Sequence, residues 1–238
     1  MKCPHCGEEK SLSQMLSGNN IGAEQWSDLR EFAPMCPQNS PVQKCPKCGG
    51  YYFLSRLPKD SKRNGEEFSS FEQGWLSFEE ALQAMKEIES PTEEEMLTLY
   101  ILAVWAYNDI VRCCRWGEGE APTESQKNEF LALVTGILQD KRILQNMKDI
   151  KNMIFAAELN REIGNFEEAI SILSQYNSEE DLIEYEVLTS TKVRRWWGGY
   201  TTKYGSEKRY KKGCREYIVK AILAKAQEKD SDIFLLSQ

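Results

Sequence analysis

Apolar residues recur at steps of three and four through most of the chain after its first third, and this spacing is typical of α-helices. Within residues 96–111 they occupy several faces of the predicted helix, so we expect that helix to lie at the centre of a core. Ser77 with Glu80 and Ser90 with Glu93 match the spacing of a capping box, which satisfies backbone amides at a helix start. The pattern therefore predicts a mostly helical region.

A more specific helical pattern lies at residues 156–173. Ala157 is small enough to let two helices approach, Gly164 ends the first helix, and Phe166 and Ala169 place the second helix against it. These positions predict a pair of helices joined by a short turn.

The first 57 residues follow a different pattern. Residues 17–35 are rich in glycine and asparagine, which favour turns, and the short runs 42–44 and 51–54 are typical of strands. Trp26 and Asp28 in the turn-rich stretch are either a ligand-contacting pair or packing residues. We expect packing, with Trp26 covering a small core.

Four of the eight cysteines fall in two copies of one motif, Cys-Pro-x-Cys-Gly. Proline presets the backbone for a tight turn, and glycine after the second cysteine accepts a positive φ, so both sulfurs of each copy can face one ion. Four cysteine ligands make a tetrahedral zinc site. We therefore predict a structural zinc ion bound by Cys3, Cys6, Cys45 and Cys48.

Other roles for the cysteines fit the sequence less well. The segment Cys3-Pro4-His5-Cys6 resembles the active-site tetrapeptide of thiol oxidants of the thioredoxin class, but that motif needs a preceding strand, and two residues precede it here. His5 is a geometrically poorer ligand than Cys6, and Cys36 lacks a partner for a tight turn. A closed shell of four thiolates has no open position for water, so the ion would stabilise the fold instead of acting as a Lewis acid.

Composition favours a protein without catalytic activity. The chain has 238 residues, 41% hydrophobic and 28% charged, which predicts one or two ordinary globular domains. His5 is the only histidine, and the sequence contains no glycine-rich phosphate loop, which excludes histidine-based nucleophile pairs and that class of nucleotide site. An enzyme that used carboxylates would need clustered, inward-facing acids.

We also expect a cytoplasmic protein with no membrane segment. The first residues contain no apolar stretch behind a basic start, so no secretory signal is predicted. The most apolar run, residues 97–107, is shorter than the roughly 20 residues that cross a bilayer. In a reducing compartment the cysteines are metal ligands or free thiols.

Charge is distributed unevenly around a formal net charge of −7. Residues 61–191 hold 11 basic and 26 acidic residues, whereas residues 192–225 hold 11 basic and two acidic ones together with several aromatic residues. Basic and aromatic residues together can bind single-stranded RNA or DNA through phosphates and stacked bases. The candidates for that role are Arg194, Arg195, Trp196, Trp197, Lys211 and Lys212. We prefer the alternative, in which this segment packs on the acidic helices and residues 210–221 begin a last helix.

Three features resemble a group of uncharacterised bacterial zinc-ribbon proteins with a tetratricopeptide-like helical C-terminal region. They are the two Cys-Pro-x-Cys-Gly motifs, the Ser-Gly-Asn…Gly-Ala…Trp-Ser-Asp…Ala-Pro-Met loop between them, and the sequence Ala-Glu-Leu-x-Arg-Glu-x-Gly-x-Phe-Glu-Glu-Ala within residues 156–173. The resemblance implies the same four zinc ligands, leaves Cys36 outside the site, and implies no established activity.

These observations predict an α+β, mostly α fold in three parts. Residues 1–57 form a zinc ribbon, residues 58–75 a connector, and residues 76–238 an α-helical domain with a tetratricopeptide-like hairpin and a basic aromatic C-terminal segment. We expect a non-enzymatic zinc-binding adaptor that holds protein partners. The alternative is binding of single-stranded RNA or DNA through the ribbon and residues 192–225.

Overall fold

The computed structural model describes residues 2–9, 21–33, 39–57, 75–140, 142, 149–177, 182–194, 200–212 and 215–236, with the backbone alone for 182–194 and 200–212. The helices in these ranges are α1 (Phe78–Glu87), α2 (Glu93–Trp116), α3 (Glu124–Gln139), α4 (Ile150–Glu162), α5 (Phe166–Leu173) and α6 (Glu216–Gln227). The strands are β1 (Glu24–Trp26), β2 (Glu31–Phe32), β3 (Val42–Lys44), β4 (Tyr51–Phe53), β5 (Leu182–Arg194), β6 (Tyr200–Lys212) and β7 (Leu235–Leu236). The predicted fold class is confirmed: the protein is mostly helical, with small N-terminal antiparallel sheets.

Helix α2 packs at the centre of the helical region, as predicted. Tyr107 stacks on Phe130 of α3 with ring centroids 3.9 Å apart, and Leu99 and Leu102 pack with Val42 of β3. The helix spans 24 residues and, by length and composition alone, is long and apolar enough to cross a membrane, although 44% of its most apolar window is buried inside the protein. Its apolar residues thus have partners in the neighbouring helices and strands.

Capping boxes set the starts of the first helices. The predicted box is present at α1, but at α2 the box is formed by Thr92 and Glu95, two residues after the predicted pair Ser90 and Glu93. The Thr92 side chain accepts a hydrogen bond from the Glu95 amide at 3.2 Å, and the Glu95 carboxylate accepts one from the Thr92 amide at 2.9 Å. Both pairs have the required spacing. Arg56 favours the observed one, because its guanidinium donates to the Glu95 carboxylate at 2.7 Å.

Helices α4 and α5 form the predicted helical hairpin. Ala157 and Ala169 are fully buried, and Gly164, with φ at 82°, follows the end of α4. The hairpin packs against α6 through an apolar cluster that includes Leu173 and Ile222.

Residues 21–33 pack with the helical region and not, as we expected, inside the zinc ribbon. Strand β1 lies between β2 and β7 in an antiparallel sheet, and the Ser27 amide donates to the Phe234 carbonyl at 2.9 Å. Trp26 is buried against Trp116 of α2, with ring centroids 5.9 Å apart, so it does not cover the cysteines. A pattern along the chain could not show this, because the pairing strand lies near the opposite end of the sequence.

Strands β5 and β6, which we call the long hairpin, pair antiparallel from Leu182 opposite Lys212 to Arg194 opposite Tyr200. The expectation that this part of residues 76–238 is helical was therefore wrong, and α6 begins only at Glu216. β-branched and aromatic residues alternate along β5, which is the period of a strand. They are Ile183, Tyr185, Val187, Thr189, Thr191 and Val193.

Some predicted features lie outside the described residues. These are the connector, apart from Trp75 at its end, and Cys36 in the turn-rich stretch. Trp75 meets Trp105 of α2 edge-on, with ring centroids 6.4 Å apart.

Candidate metal centre

The four predicted ligands come together beside strands β3 and β4. The Sγ atoms of Cys3 and Cys48 lie 3.8 Å apart, and those of Cys6 and Cys45 lie 3.7 Å apart. All four sulfurs lie within 4.8 Å of one another. A tetrahedron with metal–sulfur bonds of about 2.3 Å places its sulfurs about 3.8 Å apart. The donor atoms and their spacing therefore fit one metal ion.

Both motifs form the same turn. The Gly7 amide donates to the Cys3 carbonyl at 2.9 Å, and the Gly49 amide donates to the Cys45 carbonyl at 2.9 Å. The φ angle is 73° at Gly7 and 74° at Gly49, a conformation that residues with a Cβ rarely adopt. The predicted role of glycine after the second cysteine is thus confirmed.

The His5 ring links the first turn to strand β4 instead of joining the cysteine cluster. Its Nε2–H donates to the Tyr51 carbonyl at 3.0 Å. A Cβ atom on Gly50 would lie 2.8 Å from Cδ2 of that ring. Glycine at position 50, which sequence analysis did not single out, therefore leaves room for the histidine.

The thiols of the cluster ionise unequally. The Cys48 backbone amide lowers the pKa of Cys45 to about 6. The Glu8 backbone amide acts to lower the pKa of Cys6, but desolvation and the other three thiols outweigh it and raise that pKa to about 12. Thiolates this close repel one another, so ionisation of all four requires a cation between them.

The lysines near the second motif are engaged with carboxylates. The Lys44 Nζ lies 2.8 Å from a Glu80 carboxylate oxygen, and the Lys47 Nζ lies 2.7 Å from one of Glu8. The first pair joins the cysteine cluster to α1, and the second joins its two turns. Backbone amides, and not free lysines, are thus the donors that face the sulfurs.

A buried polar cluster, which sequence analysis missed, lies between the turn after β1 and helices α2 and α4. The Arg112 guanidinium donates to the carboxylates of Asp28 and Asp109, and the side chains of Asp28 and Arg112 are fully buried. The Asn108 amide donates to Asp28 at 2.9 Å and to Glu162 at 3.2 Å. We call these five residues the charge network. Its only trace in the sequence is the presence of polar residues within an otherwise apolar helix.

The network includes the clustered, inward-facing acids that a carboxylate enzyme would need, but each acid is already bonded. Burial, with the nearby charges of Glu158 and Asp28, raises the pKa of Glu162 well above its usual value. Glu158 in turn pairs with Arg161 at 2.6 Å, and both side chains are fully buried. In the described residues these carboxylates therefore connect β1, α2 and α4 to one another.

The candidate nucleic-acid-binding residues are not all brought together. Arg195, Trp196 and Trp197 lie outside the described residues. Arg194 is at one end of the long hairpin and Lys211 and Lys212 are at the other, about 40 Å apart at the usual rise of a strand. The described members of this set therefore do not form a single site.

No protein-family model, curated protein or solved structure matches this chain. The chain has a four-cysteine cluster beside short N-terminal strands and a helical region after it.

Proposed function

We propose that the cysteine cluster binds one zinc ion with a structural role. The observation that supports this is the approach of all four Sγ atoms to within 4.8 Å of one another. A tetrahedral set of four thiolates suits zinc or iron. Zinc adds no redox chemistry, and four protein ligands leave no position for a reacting water.

Elemental analysis of the purified full chain tests this proposal. We expect about one zinc per chain, because four thiolates complete one tetrahedral shell. Cys45→Ala should abolish stoichiometric zinc, whereas Cys113→Ala, the same change at a thiol outside the cluster, should leave it intact. Stoichiometric iron would contradict the choice of metal, and the lack of any stoichiometric metal would contradict the site.

We also propose kinship with the zinc-ribbon proteins that carry a tetratricopeptide-like region. The hairpin of α4 and α5, with small buried residues at its contact, supports this part of the resemblance. We include a reducing compartment such as the cytoplasm in this proposal, because the four free thiols of the cluster must stay reduced to bind a metal. We regard α2 as a core helix and not a membrane span, because its apolar side chains pack on both neighbouring layers.

An adaptor that binds a protein partner is the activity that the surface favours. Trp116 is 47% exposed and its ring meets those of Trp26 and Phe32 edge-on. Leu235, the register partner of Trp26 in the sheet, is 48% exposed. We call Trp116, Phe32 and Leu235 the apolar patch. Exposed apolar clusters of this kind mark protein-binding surfaces, and aromatic residues are enriched at such interfaces.

The edges of the patch indicate the chemistry of the partner. Glu24, the register partner of Phe32 on β1, is exposed beside the patch. Charges around an interface select partners of opposite sign. We therefore expect a partner surface with an apolar centre and basic residues around it.

Quantitative affinity purification from the native host tests the adaptor proposal. We expect Trp116→Ser to lower the recovery of a defined protein at least about tenfold, because buried aromatic anchors carry most of the binding energy. Leu131→Ser is the matched control, since Leu131 on α3 is also 48% exposed but lies outside the patch. Circular dichroism should first show that both variants are folded. Equal recovery of the partner with the wild type, Trp116→Ser and Leu131→Ser would then contradict a role of the patch.

A further inference from the structure

The long hairpin has two halves that differ in charge. The distal half pairs residues 188–194 with 200–206, and the basal half pairs residues 182–187 with 207–212. The distal half contains three basic residues and no acidic one, whereas the basal half contains four basic and three acidic residues. The net charge is therefore +3 in the distal half and +1 in the basal half, so most of the positive excess of the hairpin lies in the distal half.

The register of the basal half provides one directly opposed pair of opposite charge. Glu186 lies directly opposite Lys208, and opposite charges in such positions stabilise an antiparallel pair. No such pairing is available in the distal half, where the basic residues lie opposite threonine or tyrosine. These are Lys192 opposite Thr202, Arg194 opposite Tyr200, and Lys203 opposite Thr191.

The register also groups basic and aromatic residues. Residues directly opposite one another, and residues two apart on one strand, share a face of an antiparallel pair. Lys192, Arg194, Tyr200 and Tyr204 consequently share one face of the distal half. Cations with aromatic rings between them are the residue types that bind phosphates and stack on bases in single strands.

The acidic residues of the long hairpin all lie in its basal half, away from the distal cations. The distal half begins about 20 Å from the base of the hairpin at the rise of a strand. Charges in solvent are largely screened beyond about 8 Å at physiological ionic strength. Measured along the hairpin, the acidic residues near its base are thus too far away to neutralise the distal cations.

We propose that the distal half of the long hairpin binds single-stranded nucleic acid. Lys192 and Arg194 hold phosphates, and Tyr200 and Tyr204 stack on bases. Lys203, opposite Thr191, lies on the other face of the hairpin. The basal Lys211 and Lys212, which the sequence placed in the same set, belong to the half that also carries the acidic residues and do not contribute. This activity is separate from the adaptor proposal, because the apolar patch involves other residues.

Fluorescence anisotropy with the full chain and labelled oligo(dT) or oligo(U) tests the proposal over a series of salt concentrations. Each phosphate contact contributes about 0.7 to the slope of log affinity against log salt for a single strand. The double variant K192Q with R194Q should therefore reduce the slope by about 1.4. The matched control K208Q with K212Q removes the same charge from the same face of the basal half and should leave the slope unchanged.

The tyrosines have a matched control in the same hairpin. Y200V with Y204V should weaken binding at least about 25-fold, because stacking is worth about 1 kcal/mol or more per base and two stacked bases are lost, and should leave the salt slope unchanged. Y210V in the basal half should have no effect. Valine preserves the strand preference in all three changes.

Three results would overturn the proposal. The first is no binding of either oligonucleotide at low salt, and the second is an equal loss from the distal and basal variants. The third is tighter binding of a duplex of the same length, because base stacking requires a single strand. The variant K192R with R194K, which conserves positive charge, should keep the wild-type slope. A reduced slope in this variant would mean that positive charge at these two positions does not account for the binding.

Discussion

The cysteine cluster and the charge network both join chain segments that are far apart in sequence, but they do so by different physics. The cluster has two exposed thiols, Cys6 and Cys48, and its proposed cross-link depends on an ion from solution. In the charge network, the side chains of Asp28 and Arg112 are fully buried, and the cation and the carboxylates are all side chains of the protein. A chelator should therefore reversibly break the cross-link at the cysteine cluster, whereas it should leave the charge network intact.

Removal of the metal is the largest expected perturbation of this comparison. Structural zinc contributes on the order of 10–16 kcal/mol of apparent binding energy in small zinc peptides. Few residues other than the cysteines are buried beside the cluster, chiefly Tyr52. We expect chelation to expose residues 39–57 to hydrogen exchange while the far-ultraviolet circular dichroism of the helices persists.

The helices should nevertheless become less stable on chelation. Val42 and Phe53 of the N-terminal strands share an apolar cluster with Leu99 and Leu102 of α2, so the two regions are not independent. We expect a lower melting temperature that zinc restores. Complete loss of helicity on chelation would show instead that the cysteine region and the helices fold as one unit.

Loss of the buried guanidinium is the next largest perturbation. Arg112→Met leaves the buried carboxylate of Asp28 without its cation, whereas Asp109 keeps its ion pair with Arg30 at 3.7 Å. Removing one partner of a buried ion pair costs about 3–5 kcal/mol. Urea unfolding should show this loss. Lys127→Met breaks the surface pair with Glu124 and should cost less than about 1 kcal/mol.

A second variant separates lost packing from lost charge. Adding Asp28→Asn to Arg112→Met removes the carboxylate that Arg112→Met leaves unpaired. The double variant should therefore lose less unfolding free energy than the sum of the losses in the two single variants. Strict additivity would mean that the two buried side chains do not interact.

The two junctions also differ in how far the sequence could predict them. The cysteine motifs can be recognised from the sequence because each places two ligands and a turn within five residues. All four residues of the cluster were therefore predicted. Asp28 and Arg112 are single residues 84 positions apart, and nothing local to either identifies the other. The long hairpin was not predicted, although β-branched and aromatic residues alternate along β5. The segment was interpreted from its basic and aromatic composition, which does not distinguish a strand from a helix.

The ionisation of Glu162 should make the stability of the protein depend on pH, with a smaller effect than the loss of Arg112. Burial raises its pKa well above that of a free glutamate, so the carboxyl ionises at a lower pH in the unfolded chain than in the folded protein. Stability is therefore lost as pH rises through this range. Glu162→Gln mimics the neutral carboxyl, and its stability relative to the wild type should increase between pH 5 and pH 8, as measured by urea unfolding at about those two values.

The matched control for this prediction is Glu167→Gln, at an exposed position on α5. It should produce no difference between the two pH values. If Glu162→Gln is as destabilising at high pH as at low pH, the carboxyl is ionised in the folded protein and the hydrogen bond from Asn108 stabilises it in that form.

The smallest expected effect compares glycine-to-alanine substitutions in the second cysteine motif and in helix α3. Gly49→Ala puts a Cβ on a residue with φ at 74° and nothing within 4 Å of the new atom, so the cost is conformational, about 1–2 kcal/mol. Gly136→Ala, within α3, also meets open space but should stabilise the protein by about 0.5–1 kcal/mol, because alanine is the better helix residue. Thermal unfolding of the zinc-loaded chain should show shifts of opposite sign. A higher melting temperature for Gly49→Ala would mean that the left-handed turn at Gly49 is not the conformation of the second motif.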